Sequence, residues 1–422
     1  MREKLNDSAA PSSSDAAAAG QPKPRQAALV FIFITVLLDM LALGMIIPVL
    51  PQLVVGFLGG DTARGAEIYG IFGTVWALMQ FLFSPVLGAL SDRFGRRPVI
   101  LLSNLGMGLD YIVMAWAPSL GWLFLGRIIS GITASSISTA YAYIADVTPP
   151  EKRAGSFGVL GAAFGVGFVL GPAIGGLLGE YGPRLPFWFA AAFSLANFLY
   201  GLLVLPESLP PERRARFSWR RANPIGSLVL LRSHRELLGL ASVQFLAQLA
   251  HVALPSVFVL YANYRYGWGE RAVGLTLAGV GVCSMIVQAG LVRPIVARLG
   301  ERRALLIGLI AGAAGFAIYG LADNGLLFCL GVPVMSFWGL ATPAAQALMT
   351  RRVAPSEQGQ LQGANSSLTG IAGMIGPGLF TLTFSAFIGP ERGWHLPGAP
   401  FLLAALLLAA SAALAWRVTR TG

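Results

Sequence analysis

The sequence predicts an all-α membrane protein with twelve transmembrane helices in two six-helix bundles, related by a pseudo-two-fold axis along the membrane normal. Three observations predict it. Apolar runs near 20 residues long recur along the 422-residue chain, each long enough to cross a hydrocarbon core of roughly 30 Å. Charged residues make up only 12% against 55% hydrophobic, about half the charge of a typical soluble domain. Landmarks of the first half recur in the second at a constant offset of 205: Gly95 with Gly300, Pro150 with Pro355, Gly158 with Gly363, and Gly171-Pro172 with Gly376-Pro377. In lipid the backbone must satisfy its own hydrogen bonds, so the runs are helices. A repeat of six helices in one orientation is an arrangement found in secondary transporters, with the substrate site between the halves near the midplane.

Residues 1–26 are rich in Ala, Ser and Pro and read as a disordered tail. They hold no apolar segment of the kind a cleaved signal peptide needs. The first bundle, 27–205, holds spans at Ala27–Val49, Tyr69–Leu90, Val99–Ala117, Gly121–Ala142, Ser156–Leu178 and Pro186–Leu205. A polar linker, 206–236, follows. The second bundle, 237–422, holds Leu238–Ala262, Val273–Val296, Ala304–Leu321, Leu326–Leu348, Leu361–Phe387 and Leu396–Trp416. With both termini in the cytoplasm, 23 basic residues fall inside and 5 outside, and Arg127 and Arg293 lie within spans. That asymmetry fixes the orientation. It also accounts for the net charge of +11 without nucleic acid. No Gly-rich, Lys-Ser/Thr phosphate cradle is present, so ATP is not the driver. Cys283 and Cys329 read as small core residues, and with three histidines they suggest no metal site.

The loop after the second span, GALSDRFGRR, packs Gly88, Asp92, Arg93, Gly95, Arg96 and Arg97 into one membrane-surface turn. Asp92 can cap a helix end and pair with a nearby arginine. Asp146, at the inner end of the fourth span, is a partner for Arg153 or for these arginines. Arg127 in FLGRIISG lies inside a span, where an arginine is costly and needs a partner. Asp39, in LDMLALGMIIPVLP, lies near mid-span at a depth similar to that of Arg127, and the two are expected to interact. Asp110 in GLDYIVM is a further buried acid. The fifth span carries Gly158, Gly167, Gly171, Pro172, Gly175 and Gly176; small residues allow close helix approach and Pro172 removes a backbone bond. Each also has a plainer reading: a topology signal, a tie between helices, a satisfied structural acid, or ordinary packing.

With these motifs the chain resembles a major facilitator superfamily drug:proton antiporter, and specifically the tetracycline-resistance exporter branch, from about Ala27 to the C-terminus. The resemblance implies proton-coupled export of an amphipathic, tetracycline-like drug across the bacterial cytoplasmic (inner) membrane by alternating access. It makes the GALSDRFGRR loop a gate, Arg127 and Asp110 part of proton coupling with Asp39, and the fifth-span pattern an antiporter motif. It implies a small-molecule partner, a drug–metal chelate included, with protons and the bilayer, no cofactor, no enzymatic activity and a monomeric state. Gln80 and Gln288 match polar positions of that branch. Gln248, Trp338, Gln346 and Asn365 are candidate substrate residues from composition and position, or else ties between helices. Trp76 and Phe81 either line a pocket or face lipid and packing.

The chain also departs from that branch. Ser284 and Gly312 stand where its exporters carry a histidine on helix 8 and an aspartate on helix 9, and every acid after Glu236 is expected in a loop. His251 stands where glutamine is common; a histidine ordinarily titrates near pH 6.5, so it either restores a titratable group or packs. The second-half counterpart of the gate loop keeps Gly300 and arginines but has Ala297 in place of Asp92, so the latch is expected complete in the first half alone. Export of another drug or metabolite, a nutrient symporter and a non-transporting scaffold are the alternatives. The fifth-span pattern argues against the symporter and the intact gate loop against the scaffold.

Overall fold

The computed structural model describes residues 24–134, 136–149, 152–215, 235–354, 357–389 and 395–420. Residues 1–23 of the expected tail and 216–234 of the expected linker lie outside the described residues. The first helix already begins at Pro24.

Among the described residues, eleven helical stretches are long and apolar enough to cross a membrane. In chain order they are α1 (Leu29–Phe57), α2 (Thr62–Phe94), α3 (Arg96–Trp116), α4 (Leu120–Val147), α5 (Gly155–Tyr181) and α6 (Leu185–Val204). The second half begins with α7 (Leu237–Tyr266). The 52-residue helix Glu270–Leu321 is two spans, because Gly300 inside it has φ 76° and ψ 162°. It divides into α8 (270–299) and α9 (301–321). Then come α10 (Gly325–Thr350), α11 (Gln358–Ile388) and α12 (Ala399–Val418). Twelve spans result, as the apolar runs predict. Gly95, the repeat counterpart of Gly300, has φ 109° and ψ 162°. Both lie in the left-handed half of backbone space, which a side chain disfavours, so the same turn is built at the same place in each half.

The two halves meet along two seams that follow the repeat. On one, α5 packs on α8: a Cβ on Gly274 would lie 2.3 Å from the Pro172 carbonyl oxygen, and one on Gly176 2.4 Å from that of Glu270. On the other, α2 packs on α11: a Cβ on Gly73 would lie 2.8 Å from Pro377 Cβ. Small residues let the backbones approach where no hydrophobic effect drives association in lipid. Cys283 is half-buried, but Cys329 is exposed on α10 rather than in the core.

Candidate functional site

Between the halves lies a cavity of about 780 Å³, walled by α1, α2, α4, α7 and α11. Its volume suits a drug-sized ligand. Along α2 the lining runs from Tyr69 to Pro85, roughly 24 Å at 1.5 Å per residue. The cavity is shut at the end away from the arginine-rich loops. There the Glu67 carboxylate accepts from Ser385 Oγ at 2.8 Å across the α2–α11 seam, and Arg271 stands 3.8 Å from Glu180 across the α5–α8 seam. At the arginine-rich end the α5 glycines 155, 158 and 161 have no neighbour within 4 Å of a would-be Cβ. The halves therefore diverge toward that end.

The antiporter-motif residues divide accordingly. Gly167, Gly171 and Gly175 sit against Met40, Gly44 and Met45 of α1, Pro172 beside Gly44, and Gly176 against α8. Gly158 touches neither. Five of the six residues thus form packed contacts, and Gly176 alone of the five glycines packs on the other half.

Arg127 lines the cavity and is buried, as are Asp39 and Asp110. Asp110 Oδ2 lies 4.0 Å from Arg127 Nη2, and Ser130 Oγ accepts from the same nitrogen at 3.5 Å. Room for this carboxylate comes from Gly126, where a Cβ would lie 2.6 Å from Asp110 Oδ1. The sequence predicts Asp39 as the partner of Arg127; the ion pair described is with Asp110. Asp39 accepts a 2.8 Å bond from Asn197 Nδ2 on α6, and the same amide donates to the Thr35 carbonyl at 2.9 Å. An asparagine in an apolar run gives little sequence signal, and Asn197 is absent from the sequence-based candidates. Trp76 also lines the cavity, its Nε1 donating to Ser130 Oγ at 3.3 Å.

Of the polar candidates, Gln80, Gln248 and His251 line the cavity, and so does Phe81. His251 is open to it and sits 5.3 Å, ring to ring, from Trp338. Trp338 itself lies behind that wall, and a Cβ on Gly312 would lie 2.9 Å from its ring. Position 312, a glycine here, is thus covered by indole. Gln288 packs against Gly339 on α10, and Gln346 is half-buried on α10; neither belongs to the cavity wall. Asn365 is buried on α11 with no hydrogen-bond partner for its side-chain amide among the described residues, next to wall residues Gly363, Ser366 and Ser367. The sequence misses Tyr69, Ser256, Ser366 and Thr369, all on the wall, because hydroxyls on apolar helices look like packing residues. Ser284 is half-buried and is not part of the wall.

The GALSDRFGRR loop is tied to its own half. Arg96 bridges Asp92 and, by Nε at 3.0 Å, Asp146. It also donates to Ser91 Oγ at 2.8 Å, and Ser91 Oγ in turn donates to the Gly88 carbonyl at 2.8 Å. Arg93 stacks 5.0 Å above Phe94, and Arg97 reaches the Leu202 carbonyl. Arg153 does not take Asp146; it donates to the Ala145 and Thr148 carbonyls at the end of α4. Glu207, not a sequence-based candidate, caps the start of α3 by accepting from the Arg96 and Arg97 backbone N–H groups at 2.9 and 3.3 Å. In the second half, where Ala297 replaces Asp92, Glu301 pairs with Arg351. Glu270, expected in a loop, opens α8 and contacts Gly176 and Gly179.

The Major Facilitator Superfamily model matches residues 32–377 and 293–421. The chain is 39% identical over 378 residues to the tetracycline resistance protein, class C, of Escherichia coli, spanning 89% of this chain and 95% of that one. It is 37% identical to the class B protein of Escherichia coli, over 85% of this chain and 88% of that one. Among solved structures, the human organic anion transporter MFSD10 (TETRAN) superposes with a TM-score of 0.69 at 26% identity, covering 94% of this chain and all of that one. A bacterial homologue of the human lysosomal transporter Spinster gives 0.72 at 17% identity, over 95% and 98%, which speaks to the fold alone. The chain is a multi-pass membrane transporter, not an enzyme, and belongs to the Major Facilitator Superfamily.

Proposed function

We propose that the protein exports an amphipathic, tetracycline-like drug across the bacterial cytoplasmic membrane in exchange for protons, as a monomer with both termini in the cytoplasm. The observation that carries this reading is Arg127. It lines an inter-bundle cavity of drug size and has the buried Asp110 carboxylate 4.0 Å behind it. Buried charge inside a membrane is retained where it serves a pathway or a proton relay. The 37–39% identity to tetracycline resistance proteins supports the drug class.

In this reading the arginine-rich end faces the cytoplasm, and the drug, free or as its metal chelate, enters there. Its polar edge meets Gln80, Gln248, His251 and Arg127, and its apolar face lies on Trp76 and Phe81. A proton arriving from outside neutralises Asp110 or Asp39. Either event changes the charge balance around Arg127, disfavours the drug-bound arrangement and favours the other rocked state of the halves. The GALSDRFGRR loop gates the cytoplasmic end.

Everted vesicles loaded with a pH-sensitive dye test this. Tetracycline addition is expected to release part of the proton gradient in wild type and none in Asp110→Asn, with cellular tetracycline accumulation rising in parallel. If neither readout separates wild type from the variant, the coupling role of Asp110 is wrong. If tetracycline gives no signal in wild type either, the drug class is wrong.

A further inference from the structure

On the outer surface of the second half, away from the transport cavity, α9 and α12 leave a second concavity of about 440 Å³. Leu299, Leu306, Ile307, Ile310, Ala413 and Trp416 form much of its wall, and Arg303 is its one charged lining residue. Leu299, Ile307, Ile310 and Trp416 are all exposed. From Arg303 to Ile310 the groove runs roughly 10 Å along the helix, from the arginine-rich end toward the membrane interior.

The mouth has the chemistry of a headgroup site. Arg302 and Arg420 place their guanidiniums 5.2 and 5.6 Å from the centre of the Trp416 ring. Arg302 is held there by its Nε, which donates to Thr419 Oγ1 at 3.1 Å. Arg303 and Arg417 stand on the same two helix ends. The neighbouring acid, Glu301, already pairs with Arg351. Tryptophan favours the level of the lipid headgroups, and basic pockets between transmembrane helices attract anionic lipid.

We propose that this groove is a binding site for one anionic phospholipid, with an acyl chain along Leu306, Ile307 and Ile310 and the phosphate at Arg303. The tryptophan between two arginines marks the headgroup level. The apolar wall alone would take any acyl chain; the arginines supply selectivity for a negative headgroup. One arginine near an anionic headgroup is worth about 1 kcal/mol, or about fivefold in affinity.

Native mass spectrometry of the detergent-purified full chain, titrated with phosphatidylglycerol or phosphatidylcholine, tests this. Wild type is expected to retain one phosphatidylglycerol about fivefold or more tightly than phosphatidylcholine. Arg303→Gln is expected to remove most of that preference while leaving phosphatidylcholine binding unchanged. Ala413→Trp, which fills the groove from its exposed side, is expected to lose the bound lipid of either kind. Equal retention of the two lipids by wild type overturns the proposal. So does a preference that survives both substitutions, or an Ala413→Trp variant whose only change is a different oligomeric state, which would make the groove a contact between copies. Thermal stability of Ala413→Trp in detergent separates loss of lipid from failure to fold.

Discussion

Gly176 separates a contact between the halves from a contact within one. A Cβ there would lie 2.4 Å from the Glu270 carbonyl oxygen and 3.0 Å from Gly274 Cα. Both neighbours are backbone on the other bundle, so no side chain can swing aside and α5 and α8 must separate. Overpacking of this kind costs about 1–3 kcal/mol. The contact exists only while this end is shut, so the whole cost falls on that state. At 1.4 kcal/mol per factor of ten, Gly176→Ala shifts the equilibrium toward the state open at this end by about five- to 150-fold. Gly175 is the internal control. Its Cβ would lie 2.0 Å from the Met45 carbonyl oxygen, inside the first bundle, a contact that persists if the bundles rock as rigid bodies. Gly175→Ala should lower the melting temperature without moving the equilibrium. Spin labels at Gly182 and Gly269, on loops either side of the seam and free of near neighbours, report the opening as a longer inter-label distance in a background lacking Cys283 and Cys329. An unchanged distance distribution in a folded Gly176→Ala protein would refute the reasoning. So would the same shift in Gly175→Ala.

Two further outcomes follow from contacts that the sequence does not announce. Ser385→Ala removes the 2.8 Å bond to Glu67; Glu67 is exposed, so a cost of about 1 kcal/mol should open the same end about fivefold, read by the same labels. A null result there would mean that helix packing alone holds the end shut. Glu207→Ala removes the acceptor for two N–H groups at the start of α3. About 1 kcal/mol of capping should be lost, with faster amide exchange at Arg96 and Arg97 than at Val113 in the same helix. Uniform exchange changes along α3 would count against the cap.

What the sequence made legible was whatever depends on length, composition and spacing. Twelve apolar runs became twelve spans, and the offset of 205 located both the left-handed glycines and the symmetric seams. Rotation about the helix axis was not legible. Depth along the spans could not say that Asp110 turns its carboxylate toward Arg127; the missing Cβ of Gly126 lets it in. The same blindness separates Gln80 and Gln248, on the cavity wall, from Gln288 and Gln346, which are not. Glu207 was invisible for a different reason. It lies beyond the last span of the first half and acts on a helix start 111 residues earlier than itself, with no periodicity to reveal the contact.

The two arginine-rich loops show how a repeat can keep an interaction while exchanging its signs. At the offset of 205, Arg96 corresponds to Glu301 and Asp146 to Arg351. Each half builds the ion pair at the same two positions, with the charges reversed. Coulomb attraction is indifferent to that exchange, but a helix end is not. Position 96 opens α3 and position 301 opens α9, and a helix N-terminus favours an anion there and disfavours a cation. Glu301 satisfies its helix directly. Arg96 does not, and the first half answers with two additional carboxylates: Asp92 on the Arg96 guanidinium, and Glu207 on the first N–H groups of α3. Ala297, standing where the first half has Asp92, is therefore no defect in the second loop, because its helix end already carries the favourable charge. The added carboxylates of the first half compensate a charge reversal, and through Glu207 that compensation ties the start of α3 to the segment after α6, which a backbone bond from the Ala215 N–H to the Asp92 carbonyl holds to the same loop.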